Sequence, residues 1–224
     1  MDSMSHFTEE YHNFFTGLKN NNKKEWFDKN RKIYDNHVKE PFRGFVEEMI
    51  VRIHSDNPDV LINASEAIFR INRDIRFSKD KTPYKTHLSA FISPGGKKAK
   101  EDPGFYFQLG VEGIRIYSGI HSLDKEKLEK IRWSIVHNLD EFASIINDKN
   151  FKSKFGGILG DKHKRIPPEF KEATEKQPLL ANKVFYVMAN LDSGLITDPK
   201  LSEILMEYYF AVKPLLVFFT RILS

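Results

Sequence analysis

Residues 104–120, GFYFQLGVEGIRIYSGI, decide the fold class that this chain is expected to adopt. Apolar and polar side chains alternate on both sides of a central turn, and this two-residue period is typical of half-buried strands. The connection Gly110-Val111-Glu112-Gly113 is short enough to join the two halves as an antiparallel hairpin. The stretch therefore predicts two neighbouring strands, over residues 104–109 and 114–120.

Helical spacing flanks this hairpin on both sides. Apolar residues recur every three or four positions from Phe7 to Leu18 and from Phe42 to Ile53, and again from Leu128 onward. Further strands are predicted over residues 67–77, 86–93 and 184–191, which alternate or carry β-branched and aromatic residues. Because helices and strands occur in blocks, the sequence predicts an α+β fold. Helical N-terminal and C-terminal parts are expected to pack on a mainly antiparallel central sheet.

Length and composition favour a single domain over residues 1–224. The chain is 40% hydrophobic and contains no cysteine, which excludes disulfides and thiolate metal sites. The N-terminus lacks the basic and apolar regions of a secretion signal, and Lys213 and Arg221 interrupt the most apolar segment. We therefore expect a cytoplasmic protein without membrane contact. The oligomeric state is left open.

Positive charge is concentrated in one part of the chain. The formal net charge is +4, yet residues 61–100 contain nine basic and three acidic residues. The densest part is RINRDIRFSKDKTPYK, residues 70–85, in which arginines recur every three positions around one aspartate. We call residues 70–84 the signature segment.

A strand over Phe69 to Phe77 would place alternate side chains on opposite faces of the sheet. Arg70, Asp74 and Arg76 would then share the polar face, while Arg73 would fall in the apolar row. An arginine in that row needs a carboxylate or several carbonyl groups, unless a bulge at residues 73–74 turns its side chain away.

The same alternation extends the polar face into the hairpin, where it contributes Tyr106, Gln108, Arg115 and Tyr117. Guanidinium and phenol donors at close quarters suit a phosphate, sulfate or carboxylate group. The expected ligand-binding residues are Arg70, Arg73, Asp74, Arg76, Lys81, Tyr84, Arg115 and Tyr117.

The sequence leaves open whether the protein is an enzyme. Any catalysis is expected to be metal-independent phosphoryl or acyl chemistry, with Asp74, Tyr84 or His87 carrying protons. For Tyr84, a packed anchor is the favoured interpretation. No metal site is expected, because the eight histidines are scattered without ligand spacing, and no nucleotide-binding glycine motif is present. The sequence specifies no cofactor.

Two other functions are compatible with the same residues. The basic stretch from Arg70 to Lys100 would contact nucleic-acid phosphates, with Tyr106 or Tyr117 stacking on bases. The modest net charge argues against this hypothesis. Alternatively, the arginine and aspartate cluster is a structural ion-pair network in a non-catalytic interaction protein.

The signature segment resembles a known family. Its pattern, RxxRDxRFxxDKxxY from Arg70 to Tyr84, is similar to the signature of domain of unknown function family 2461, an uncharacterised family found mainly in bacteria and also in fungi. Residues 21–27 and 104–119 resemble two other parts of that family. The resemblance implies no known activity, substrate or cofactor, but it supports the choice of residues.

Overall fold

The structure, a computed structural model, describes residues 5–99 and 101–223. Lys100, which was counted in the basic stretch, and the first four residues of the N-terminus lie outside the described residues. The helices are α1 (Glu9–Asn20), α2 (Lys24–Lys29), α3 (Arg31–Tyr34), α4 (Glu40–Asp56), α5 (Ala64–Ala67), α6 (Lys125–His137), α7 (Leu139–Asn147), α8 (Lys149–Phe155), α9 (Lys171–Lys176) and α10 (Leu201–Leu223).

Four strands form one antiparallel sheet in the order β1-β2-β3-β4. They are β1 (His87–Ile92), β2 (Gly104–Gly110), β3 (Gly113–Ile120) and β4 (Phe185–Leu191). The α+β prediction and the central hairpin are therefore confirmed. Burial alternates along β2 and β3 as predicted, since Phe105 and Phe107 are buried while Tyr106 and Gln108 are half-buried.

The chain forms two compact units, each drawn from separate stretches of sequence. The first comprises residues 1–98, 106–116 and 190–206, and the second comprises residues 99–105, 117–189 and 207–224. In the first unit, the Tyr11 hydroxyl donates to the Leu109 carbonyl at 3.0 Å, and the Phe45 ring packs edge-on against Phe107. Aromatic side chains thus attach the N-terminal helices to the sheet.

The second unit is organised in the same way around its own part of the sheet. The Phe105 ring lies edge-on to Tyr209 of α10, with ring centroids 5.8 Å apart. Phe185 of β4 packs against Phe219 at 5.7 Å. Across residues 5–99 and 101–223, none of the helices has both the length and the apolar character required to cross a bilayer.

The predicted strand over residues 67–77 is wrong. The structure has only two isolated antiparallel bridges there, Ile68 with Ala90 and Asn72 with Tyr84. The Arg73 amide donates to the Pro83 carbonyl at 2.9 Å, after which the chain leaves the pairing. Pro83 has no N–H, so it cannot donate a hydrogen bond back to this strand. Side-chain hydrogen bonds hold the turn at residues 74–82 instead, and a regular β-ladder does not continue.

Candidate functional site

The first unit holds the signature segment through a side chain far away in sequence. The Asn22 amide nitrogen donates to the Tyr84 carbonyl at 2.9 Å, and the Tyr84 N–H donates to the Asn22 amide oxygen at 3.1 Å. Asn22 therefore binds this backbone as a neighbouring strand would. Asn22 does not cap α2, although Glu25 three residues later would suit a capping box, because Lys23 occupies the N-cap position.

Tyr84 is a packed anchor of the first unit. Its ring stacks on Phe27 with centroids 4.2 Å apart and an interplanar angle of 15°, and the residue is 7% exposed. Such a stack fixes the ring, and it fixes the segment in turn because Tyr84 is bonded to Asn22 through its backbone. The expected packing role of Tyr84 is confirmed.

Arg73 closes the turn of the signature segment. Its guanidinium donates to the Asp80 carboxylate and the Thr82 hydroxyl, and it approaches the Ser78 hydroxyl at 3.5 Å. The Thr82 N–H, the Arg73 guanidinium and the Thr82 hydroxyl together lower the pKa of Asp80 to about 2. Asp80 is thus the carboxylate that a half-buried Arg73 was expected to need.

Three other predicted ligand residues also have partners within the turn. The Arg76 guanidinium binds Asp74 in a bidentate pair, at 3.0 Å from Nε and 2.7 Å from Nη2. That pair, with the Arg76 N–H, lowers the pKa of Asp74, which makes this carboxylate a weak base at neutral pH. The Lys81 ammonium donates to the Ile75 carbonyl at 2.9 Å.

A second group, of three cations and one histidine, lies beside the turn, on the half-buried side of β1 to β3. We call it the basic patch, and its members are Arg70, Lys85, His87 and Arg115. Lys85 lies within electrostatic reach of Arg70, and both Lys85 and Arg115 act on His87. The structure thus brings three predicted residues, Arg70, His87 and Arg115, to one surface of the first unit.

Lys85 is the most unusual member of the basic patch. Its ammonium lies 5.6 Å from the centre of the Phe69 ring, which itself packs against Tyr106 at 6.0 Å. Burial, and then the charge of Arg70, lower the pKa of this lysine. Within the described residues, no carboxylate pairs with the Lys85 ammonium. Arg115 differs, because its guanidinium donates to Glu112 at 3.0 Å.

His87 is kept neutral. Burial, followed by the charges of Lys85 and Arg115, lowers its pKa to about 4, although Glu112 opposes the shift. Its burial comes from close strand packing, since a Cβ atom built at Gly110 would lie only 2.6 Å from the Cβ of His87. At neutral pH the imidazole can donate or accept a hydrogen bond but carries no charge.

The low pKa of His87 predicts a pH-dependent stability. The unfolded chain protonates this histidine near its ordinary pKa of 6.5, whereas the folded chain does so only near 4. The free energy of unfolding should therefore decrease as pH falls from about 6.5 to 4, by on the order of 2 kcal/mol. Urea unfolding at pH 7 and pH 4.5 should show a smaller decrease for His87→Asn. Exposed His37→Gln should retain the wild-type decrease, and equal decreases in all three proteins would contradict the assignment.

Tyr117 belongs to the second unit. Its ring lies 6.1 Å from His121, which directly follows β3, and 6.5 Å from Tyr186 of β4. No three side chains that could ligate a metal come together within residues 5–99 and 101–223.

Comparison with known proteins assigns the family. A family model described as "Conserved hypothetical protein (DUF2461)" matches residues 10–218. The chain belongs to this family. A search of curated proteins finds no match. The DUF2461 match spans both compact units and includes the signature segment, Asn22 and the basic patch.

Sequence reasoning did not select Lys85 as a site residue of this DUF2461 protein. Lys85 directly follows the signature segment, and a lysine there is ordinarily solvated. Its partial burial depends on Phe69, which the strand prediction placed on the opposite face from Arg70. The sequence feature that indicates an unpaired Lys85 is the absence of acidic residues between Lys81 and Ser93.

Proposed function

We propose that the basic patch binds an anionic small molecule that carries a phosphate or carboxylate group. The observation that carries this proposal is the half-buried Lys85 ammonium, which lies beside Arg70 without a carboxylate partner in the described part of the chain. Desolvating a cation next to another cation costs free energy, and a bound anion would offset that cost. Arg70 is exposed, so its guanidinium is accessible to a ligand.

The neighbouring side chains fit such a ligand. Neutral His87 supplies a hydrogen-bond donor, and Arg115 supplies a second guanidinium whose partner, Glu112, is exposed. The Tyr106 hydroxyl donates to the Gln108 side chain at 3.1 Å, so β2 adds polar groups to the patch. Arginine forks and a lysine point charge are the usual protein groups for phosphate recognition.

The proposed activity is binding, with no proton transfer assigned. Asp74 and His87 both have lowered pKa values, and Tyr84 is packed against Phe27. A general acid or base works best with a pKa near the operating pH, and neither Asp74 nor His87 meets that condition. A cytoplasmic location stays a prediction from the sequence.

A thermal-shift screen with one matched pair of variants tests the proposal. Phosphate, sulfate, pyrophosphate, nucleotides and sugar phosphates are each added to the wild type, Lys85→Gln and Lys79→Gln. At least one anion should raise the melting temperature of the wild type, because a ligand of the folded state stabilises it. Lys85→Gln should weaken binding of that anion about tenfold or more, the scale of one charged hydrogen bond.

Lys79→Gln is the control, because this exposed lysine lies in the same segment but outside the basic patch. It should bind like the wild type. A second readout is the pKa of His87 measured by NMR, which should rise when an anion binds beside the imidazole. The proposal is wrong if no anion shifts the melting temperature, or if both lysine variants lose affinity equally.

One observation favours nucleic-acid binding as a second candidate. Phe77 is 95% exposed at the turn of the signature segment, and the Arg76 guanidinium lies 5.8 Å from the centre of its ring. An exposed aromatic ring beside arginine is a stacking platform for unpaired bases. Short oligonucleotides in the same screen distinguish the two functions, since their affinity should fall steeply with salt and depend on Phe77.

A further inference from the structure

The second unit contains a cleft that is independent of the basic patch. Its volume is about 540 Å³, within the usual range of pockets for small ligands. It is lined by the first half of α6 and by parts of residues 163–183. The cleft combines apolar contacts, such as Leu128 and Phe170, with charged side chains of both signs.

Arg132 is the buried charge of this cleft. The residue is only 5% exposed, and its guanidinium lies 5.7 Å from the centre of the Phe170 ring. Nε donates to the Leu180 carbonyl at 2.8 Å, and one Nη2 hydrogen is directed to the Asn182 carbonyl at 3.3 Å. These two acceptors are neutral. The charges of Glu169 and Glu129 favour the guanidinium cation from a distance, but neither carboxylate is hydrogen-bonded to it within the described residues.

The bonding pattern leaves one edge of the guanidinium available. Arginine carries five N–H donors, and the two carbonyl bonds use the edge formed by Nε and Nη2. No described residue accepts a hydrogen bond from Nη1. Nη1 and the second hydrogen of Nη2 thus form a two-donor edge, which matches the spacing of two oxygens of a carboxylate.

We propose that the cleft binds a small monocarboxylate with an apolar body, held at its anionic end by the free edge of Arg132. The apolar body would contact Leu128 and Phe170, which line the same cleft. A single negative charge is favoured over a phosphate dianion, because the formal charges of the lining residues sum to only +1 and one carboxylate neutralises that surplus. The four cations are Lys125, Arg132, Arg165 and Lys183, and the three carboxylates are Asp124, Glu129 and Glu169. The proposal does not depend on the basic patch, which belongs to the other unit.

Trp133 provides a local readout. Its ring packs against Phe170 with centroids 4.8 Å apart, and the chain has only one other tryptophan, Trp26 in the first unit. The two indole N–H signals in an NMR spectrum are assigned with Trp26→Phe. Titration of the wild type with hexanoate should shift the Trp133 signal with a Kd of about 1 mM and leave the Trp26 signal in place.

Hexanamide and hexylphosphonate are the comparison ligands. Hexanamide has the same apolar chain without the charge, and hexylphosphonate carries a larger and more highly charged head group. Both should bind more weakly than hexanoate. The assignment is overturned if hexanoate produces no saturable shift of Trp133, or if either comparison ligand binds as tightly.

Three variants complete the test: one should weaken hexanoate binding, one should strengthen it, and one is a control. Arg132→Gln should weaken hexanoate binding more than tenfold, whereas Lys130→Gln on the exposed side of α6 should not. Arg132→Gln removes a buried group, so a second variant covers the case in which it fails to fold. Exposed Glu169→Gln should tighten hexanoate binding about threefold by removing repulsion. Unchanged or weaker binding to a folded Glu169→Gln would contradict the proposal.

Discussion

Tyr84→Ala is expected to lower the free energy of unfolding by about 3 to 5 kcal/mol, the usual cost of deleting a buried aromatic ring. The ring is 7% exposed and stacked on Phe27, so its removal leaves a cavity between the signature segment and the N-terminal helices of the first unit. Urea unfolding monitored by circular dichroism measures this loss.

Tyr84→Phe is the matched control for that prediction. It keeps the ring and its stack on Phe27, so stability should change by less than about 1 kcal/mol. Binding of an anion to the basic patch should also be unchanged, because the proposed role of Tyr84 is to anchor the segment. A stable Tyr84→Phe that loses anion affinity would instead make the phenol a ligand contact.

Arg73→Ala should lower the free energy of unfolding by about 2 kcal/mol. The guanidinium satisfies Asp80 and Thr82 and closes the turn at residues 74–82. The side chain is 26% exposed, so the loss should be smaller than the roughly 3 to 5 kcal/mol of a fully buried pair. The turn should also become more sensitive to proteases, because its closing contact is gone.

Arg76→Ala provides the comparison for Arg73→Ala. Its guanidinium is 76% exposed and, among the described residues, pairs with Asp74 alone, so stability should change much less than for Arg73→Ala. Equal effects of the two substitutions would show that the turn does not depend on Arg73. If Arg73→Ala is stable but fails to bind an anion, Arg73 is a ligand contact, as the sequence predicted.

The central hairpin could be predicted because the pattern that indicates each strand lies within that strand's own sequence. Residues of β2 and β3 alternate in polarity, and two glycines bound the turn between them, so neighbouring positions contain the required information. The flanking helices α1 and α4 are predictable for the same reason, since their buried residues recur at helical spacing.

The signature segment could not be predicted in this way, because its conformation depends on distant side chains. Asn22 has the sequence context of a helix cap, and nothing local indicates that its amide binds Tyr84. The alternation of Phe69 to Phe77 resembles a strand, yet Arg73 and Asp80 fold it into a turn. The family resemblance identified which residues belong together without specifying their contacts.

The bond between Asn22 and Tyr84 also has a consequence for the order of folding. It connects residues 62 positions apart, so the chain must close a long loop before the signature segment gains this support. Contacts of large sequence separation form slowly compared with local helices. The segment that carries the family pattern is therefore expected to acquire its native conformation late, after α1 and α2 have formed. A peptide cut from this region would lack the partner that orders it.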